Sequence, residues 1–247
     1  AASDVYKRQS EWWALKEIWN KKLLYKGFKI VPYCPRCGTP LSSQEVAQGY
    51  KLVKERSAIV RFKVVGEDAY FLAWTTTPWT LPSNTALCVG PNIDYNLVQS
   101  YNPYTGVPIS VIVAKVLVRT LFNPKAEGLS LEDYKPGDKL IPWKVVAEYK
   151  GNDLAGMEYE QLLPWVNPGE GAFRVITGDF VTTEEGTTGI VHIAPTFGAD
   201  DDRVAKANGI PPLMMLDKDG NRRPMVDMTG KFYLIEDLDP DLSLIHI

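Results

Sequence analysis

The middle of this 247-residue chain is a series of short hydrophobic runs separated by polar turns, a pattern that predicts many β-strands and few helices. The runs are rich in β-branched and aromatic residues, and Gly, Pro, Asn or Asp lie between them. Two further runs, Phe173–Ile176 and Gly189–His192, predict strands in the last third. The predicted strands of the middle are Ser57–Val64, Ala69–Trp74, Ala86–Val89, Tyr95–Val98, Pro108–Ala114 and Lys144–Tyr149.

Helical spacing occurs in three places. Ser10–Lys26 has apolar residues at helical intervals, with Ser10 as a possible cap and Gly27 as a stop. Val116–Phe122 predicts a short helix. A third helix is expected from about Asp200 to Gly209. The elements together predict a β-rich α+β protein.

The predicted domain organisation has three parts. An N-terminal helix and a Cys-containing connecting segment occupy 1–47, a β-rich domain occupies 48–237, and a tail occupies 238–247. The terminal stretches AASDVYKRQ and LSLIHI match neither the periodicity nor the capping chemistry beside them, so we interpret both as non-native segments.

Composition limits the class of protein. The chain is 45% hydrophobic and 23% charged with a net charge of −3, which is typical of a globular protein and gives no cationic field to draw nucleic acid. Contact with RNA would therefore be local, or be supplied by other parts of a larger protein. The sequence has neither an apolar run of membrane-spanning length nor a secretory leader, so we expect a cytoplasmic location and no membrane partner.

The three cysteines do not predict a disulfide framework, because their number is odd. Cys34 and Cys37, in YCPRCGTPLSS, have the spacing of half a structural zinc site, which needs two more thiolate or imidazole ligands. Unmetallated thiols are the alternative. A redox pair would instead lie at a helix N-terminus after a strand of an α/β sheet, which these surroundings do not resemble.

A second group of candidate residues lies in GTTGIVHIAPTFGADDDRVAKANG, residues 186–209. Three carboxylates open the predicted helix, where acids cap amides and complement the dipole. One would suffice for capping, which leaves another to point into the preceding turn. His192 lies at the opposite edge of that turn, where a packed structural role is the competing interpretation. The ligand types do not match a zinc or calcium site.

A third feature is the crowding of hydroxyls in AWTTTPWTLPSNTAL, Ala73–Leu87. Trp74 ends a predicted strand, and Pro78 and Pro82 are expected to prevent a helix or a central strand from continuing. Thr75, Thr76 and Thr77 would then lie in irregular backbone with accessible hydroxyls and amides. Threonine also favours strands and turns for purely structural reasons.

WTTTPWTLPSN and GIVHIAPTFGADD resemble the threonine-rich and carboxylate elements of the editing domain of class I aminoacyl-tRNA synthetases for isoleucine, valine and leucine. The resemblance covers about Cys34 to Tyr233, and His192 is similar to the isoleucine enzymes. It implies a β-barrel-like domain, a partial zinc-ribbon-like appendage, and hydrolysis of valine wrongly attached to the isoleucine tRNA, whose 3′ end and the remainder of the synthetase would be the partners. The HIGH and KMSKS motifs of the synthetic, ATP-binding site do not occur.

The resemblance also implies roles for individual residues. Asp201 would hold the α-ammonium of the misattached amino acid, and Thr75, Thr76 and Thr77 would line the pocket and contact the ester or the attacking water. His192 would reject the larger isoleucyl side chain, with Asn84 and Trp74 as further substrate-binding residues. Editing would need no cofactor, while zinc at Cys34 and Cys37 would belong to the full-length protein.

One departure from the family pattern is GTTG at 186–189, where GTG is usual, so the local register there is open. Two rival functions remain at this point: editing in a valine or leucine enzyme, and a noncatalytic RNA-binding zinc module. The editing hypothesis requires that the threonines near residue 76 and the carboxylate of Asp201 share one small cleft.

Overall fold

The computed structural model describes residues 2–25, 27, 29–34, 36–216, 220–227 and 229–233. The chain divides into two compact units, Ala1–Val31 and Pro32–Ile247. The boundary after residue 47 stays a prediction, and the tail at 238–247 lies outside the described residues. No helix within the described ranges is long and apolar enough to cross a membrane.

The first unit contains one helix, α1 (Ala2–Asn20). The prediction of a helix from Ser10 to Lys26 was wrong at both ends. The Ser10 hydroxyl donates to the carbonyl of Tyr6 at 3.1 Å, so it bonds backwards within the helix and does not cap it. Most of AASDVYKRQ is therefore helical, and its non-native origin stays a prediction. The Trp12 and Trp19 side chains are exposed.

The second unit starts with a small hairpin around the cysteine turn, formed by β1 (Tyr33–Cys34) and β2 (Thr39–Pro40). A short helix, α2 (Ser43–Ala47), follows it. Ser42 and Glu45 form a reciprocal capping box there, since each side chain accepts a bond from the other residue's backbone amide. The spacing of this Ser and Glu is a helix signal that the sequence analysis missed.

Eight strands form the main sheet, and each of the eight predicted strands is confirmed with small changes at the ends. The helices between and after them are α3 (Val118–Leu121), α4 (Gly151–Leu154) and α5 (Ala199–Ala207). The strands are β3 (Ala58–Lys63), β4 (Tyr70–Thr75), β5 (Ala86–Val89), β6 (Asp94–Tyr101), β7 (Pro108–Ala114), β8 (Lys144–Lys150), β9 (Arg174–Thr177) and β10 (Ile190–Ile193).

Strand β4 is the branching point of this sheet. It pairs antiparallel with β3 along its whole length. Its first residues pair in parallel with β7, which continues to β6 and β8, and its Trp74 pairs in parallel with Val191 of β10. Strand β10 then pairs with β5, and β5 with β9.

The sheet closes on itself through residues 157–160. Glu158 bridges Arg174 of β9, and Tyr159 bridges Val64 beside β3, so backbone pairings run in a ring through β4, β10, β5, β9 and β3. Two backbone hydrogen bonds of 2.9 and 2.8 Å hold the bridging segment to its neighbours, from Tyr159 to Phe173 and from Glu160 to Lys63. This closure confirms the β-barrel-like prediction, whereas the zinc-ribbon-like appendage stays a prediction.

Hydrophobic side chains fill the interior of the ring, and α5 packs against part of its outer face. Phe62, Phe71, Leu87 and Ile190 are among the buried residues of the interior. The apolar run Ala86–Val89 is buried on both faces, because α5 covers the side that points away from the interior. Two more strands, β11 (Met215–Leu216) and β12 (Arg222–Arg223), pair beyond α5.

Candidate active site

A cleft of about 310 Å³ opens where the carboxyl end of β4 meets β10 and the turn before α5. It brings together all three predicted threonines, Trp74, His192 and Asp201. The shared cleft that the editing hypothesis requires is therefore present. The lining residues are Trp74, Thr75, Thr76, Thr77, Trp79, Thr80, Val191, His192, Ala194, Phe197, Gly198 and Asp201.

The threonine wall is built by the exit from β4. Thr75 is the last strand residue and is buried, while Thr76 and Thr77 are exposed. The Thr75 hydroxyl accepts from the Thr77 amide at 3.0 Å and lies 3.3 Å from the Thr77 hydroxyl. If Thr75 donates in that second contact, the hydrogen of the Thr77 hydroxyl is left to bind a group in the cleft.

A six-residue 3₁₀ helix, Pro78–Ser83, follows the threonines. The expectation that the two prolines would exclude any helix here was wrong. Pro78 is at the first helical turn, where the missing amide costs no hydrogen bond, and a short 3₁₀ turn also tolerates Pro82. This turn places Thr80 back over Thr77, whose carbonyl accepts both the amide and the hydroxyl of Thr80 at 3.0 and 2.8 Å.

The carboxylate wall comes from the first turn of α5. Asp200 pairs with Arg203 at 2.8 Å and Asp202 pairs with Lys206 at 2.6 Å, both along the helix. Asp201 instead turns towards the cleft, where its Oδ2 accepts from the amide of Ala194 at 2.9 Å. One carboxylate of the three is thus directed at the preceding turn, as the sequence analysis expected.

Gly198 makes room for this carboxylate. A Cβ atom on Gly198 would lie 2.6 Å from Cγ of Asp201 and 2.9 Å from both of its oxygens. Burial raises the pKa of Asp201 above its usual range, the Ala194 amide opposes that effect, and Asp200 adds to it. An incoming cation would therefore stabilise the charged form of this carboxylate, because it would replace part of the solvation lost on burial.

His192, on β10, is 5% exposed and forms the floor between the two walls. Its Nε2 lies 3.0 Å from the Thr80 hydroxyl. Burial lowers the pKa of His192 to about 4, so the ring is neutral near pH 7 and is a weak base. These properties suit a wall residue better than a general base.

An aromatic pair stands at the rim of the cleft. Trp79 and Phe197 meet edge to face with ring centroids 5.0 Å apart, and Trp79 is half exposed. They join the threonine segment to the turn before α5. Sequence reasoning missed Trp79, Phe197 and Thr80 as cleft residues, although all three lie inside the quoted motifs.

Asn84 is not among the residues that line the cleft. It is 3% exposed, its amide nitrogen donates to the carbonyl of Ala86 at 2.8 Å, and its oxygen accepts from the Tyr159 hydroxyl at 2.6 Å. These bonds fasten the end of the 3₁₀ helix to the segment that closes the ring. Its substrate-binding role stays a prediction.

The Cys34 and Cys37 pair lies in the β1–β2 hairpin. The Cys37 amide points at Cys34 Sγ at 3.4 Å, and this backbone hydrogen bond, followed by the Cys37 thiol and the Arg36 amide, lowers the pKa of Cys34. A thiolate is the form that binds zinc. Among the described residues, no group of three or more His, Cys, Asp or Glu side chains could hold a metal, so zinc binding at this pair stays a prediction.

The sequence of this chain matches known proteins over most of its length. The model of the class I tRNA synthetases (I, L, M and V) matches residues 4–221. The chain belongs to this family. Family membership, predicted from the threonine and carboxylate motifs, is thus confirmed.

Among relatives of this chain, the isoleucine–tRNA ligase of Bacteroides fragilis is 65% identical over 240 residues, covering 93% of this chain and 21% of the relative. That of Porphyromonas gingivalis is 60% identical with the same coverages. The chain thus spans about a fifth of the length of these ligases. A solved structure titled GlLeuRS-CP1 matches 62% of this chain and 65% of its own at a TM-score of 0.43 and 17% identity.

Proposed function

We propose that this chain is the editing part of an isoleucyl-tRNA synthetase and hydrolyses the ester between valine and the tRNA for isoleucine. The observation that carries the proposal is the single cleft that Thr75, Thr76, Thr77 and Asp201 line together. Identity of 65% to an isoleucine–tRNA ligase supports the choice of amino acid. An editing site separate from the synthetic site is needed because one missing methylene changes binding by only ~1–3 kcal/mol. The discrimination of isoleucine from valine is the standard example of this limit.

In this proposal Asp201 binds the α-ammonium of the valyl group. The Ala194 amide holds its carboxylate, and Gly198 leaves the space that the carboxylate occupies. The position of the carboxylate is therefore fixed before substrate arrives. A charge-assisted bond to an ammonium in this partly buried position anchors one end of the ester. The scissile carbonyl then lies towards the threonine wall.

The threonines position water and stabilise the oxyanion. The Thr77 hydroxyl is oriented by its contact with Thr75, and the Thr76 side chain is exposed at the cleft. Hydrolysis of an activated ester depends on positioning and on donors aimed at the developing charge more than on a strong base. A neutral His192 under the pocket limits the length of the amino-acid side chain.

The test is the rate of deacylation of valyl-tRNA for isoleucine by the wild-type chain and by Asp201→Asn, which keeps the shape and removes the charge. We expect activity in the wild type and a loss of at least ~10²-fold in the variant. Asp200→Asn is the matched control, because that carboxylate is in the same helical turn but pairs with Arg203. Equal rates for the wild type and Asp201→Asn would refute the proposal.

We also propose that Cys34 and Cys37 hold zinc together with two ligands from the rest of the full-length protein. The β1–β2 hairpin supports this role, because it places both cysteines at one turn. Because the cleft residues perform the hydrolysis, we expect chelators to remove zinc from the full-length enzyme without abolishing deacylation. Metal content and deacylation rate are measured on the same sample.

A further inference from the structure

The contact between Thr80 and His192 restricts the chemistry of the histidine. The Thr80 hydroxyl has a single hydrogen and makes two contacts: 2.8 Å to the carbonyl oxygen of Thr77 and 3.0 Å to Nε2 of His192. A carbonyl only accepts, so the hydroxyl hydrogen goes to Thr77. Both contacts are hydrogen bonds only when His192 donates from Nε2.

The other ring nitrogen agrees with this assignment. His192 Nδ1 is buried and has no hydrogen-bond partner among the described residues. A protonated Nδ1 there would be an unsatisfied buried N–H, which costs more than an unsatisfied lone pair on a nitrogen that is a poor base. The neutral ring therefore carries its hydrogen on Nε2.

We infer that Thr80 is a positioning residue that fixes the tautomer and the orientation of His192 and thereby sets the size limit of the cleft. The inference rests on the proposed function for its effect on substrate choice. Hydrogen bonds connect the Thr77 carbonyl, the Thr80 hydroxyl and the imidazole in series. They join the threonine segment to β10 at the floor of the cleft. Thr80 and His192 are each 5% exposed, so water has little access to the contact between them.

The experiment uses the 247-residue chain with ¹⁵N-labelled histidine. His246 is the second of the two histidines, and His246→Gln leaves a spectrum of His192 alone. We expect wild-type Nε2 to show a one-bond coupling to hydrogen and Nδ1 to resonate as an unprotonated nitrogen. Thr80→Val removes the hydroxyl at nearly constant volume and is expected to give a mixture of tautomers, while Thr80→Ser restores the wild-type spectrum.

A matched control is available in Thr187. Its hydroxyl also donates to a carbonyl three residues earlier, Glu184 at 2.7 Å, and it is 6% exposed against 5% for Thr80, but it does not line the cleft. Thr187→Val is expected to leave the His192 spectrum and substrate choice unchanged. A change in the spectrum with Thr187→Val would overturn the assignment to the Thr80 contact.

Substrate choice is measured in parallel as the ratio of valyl to isoleucyl ester cleavage. We expect Thr80→Val to lower this ratio by about tenfold, the equivalent of about 1.4 kcal/mol and of one lost hydrogen bond. An unchanged ratio, or a spectrum of Thr80→Val identical to the wild type, would overturn the inference. If the wild type cleaves neither ester, the proposed function fails, while the nitrogen spectra still decide whether Thr80 fixes the tautomer.

Discussion

Acidification is expected to weaken the fold through His192. In the unfolded chain this imidazole takes up a proton near pH 6.5, whereas burial in the folded chain lowers its pKa to about 4. Between these values the unfolded state binds more protons, so the free energy of unfolding falls as the pH falls. The gap between 6.5 and about 4 corresponds to about 3 kcal/mol at ~1.4 kcal/mol per pH unit.

The assay is urea unfolding at pH steps from about 7 to 4, in a His246→Gln background, with and without His192→Gln. Subtracting the two curves removes the carboxylates that both proteins share, including Asp201, whose raised pKa acts in the opposite direction. The difference between the two free energies of unfolding should be constant above pH 6.5 and should change by about 3 kcal/mol by pH 4. A difference that stays flat across this range would show that His192 is not buried as a neutral ring.

Three more outcomes follow from the cleft and its support. Gly198→Ala should displace the Asp201 carboxylate, since the new Cβ would lie 2.6 Å from Cγ, and should slow valyl ester cleavage ~10²-fold with an unchanged circular dichroism spectrum. Tyr159→Phe leaves the Asn84 oxygen buried without its 2.6 Å donor and should lower the free energy of unfolding by ~1–3 kcal/mol in urea titrations. The initial rate of ester cleavage should decrease as the pH is lowered through the raised pKa of Asp201, and His192 should add no second step between about pH 5 and 8. A second step in that range would contradict the lowered pKa of His192.

Local sequence patterns predicted the strands, because burial determines which residue type each strand position tolerates. The aromatic-rich run Tyr70–Thr75 and the apolar run Ala86–Val89 both predicted strands, and the structure buries alternate residues of the first and every residue of the second. The prediction that one carboxylate of the three would point into the turn before α5 came from capping, which needs only one. In the structure the other two pair with cations further along the helix.

What sequence reasoning missed depends on contacts between distant residues or on weak local signals. Thr80 meets His192 across 112 positions, and no spacing rule connects them. Residues 157–160 close the ring with isolated bridges and have no strand-like run of their own. Ser10 looked like a cap because serine favours caps, but in the structure its hydroxyl finds a carbonyl of the preceding turn.

The parallel pairing of Trp74 with Val191 means that the two walls come from segments far apart in the chain. During synthesis the hydroxyl-bearing half emerges from the ribosome well before the acidic half is made. Contacts of such long sequence separation form late, since the closure entropy of the intervening loop must be overcome first. A partly synthesised chain therefore lacks a complete cleft until β10 and the first turn of α5 are in place.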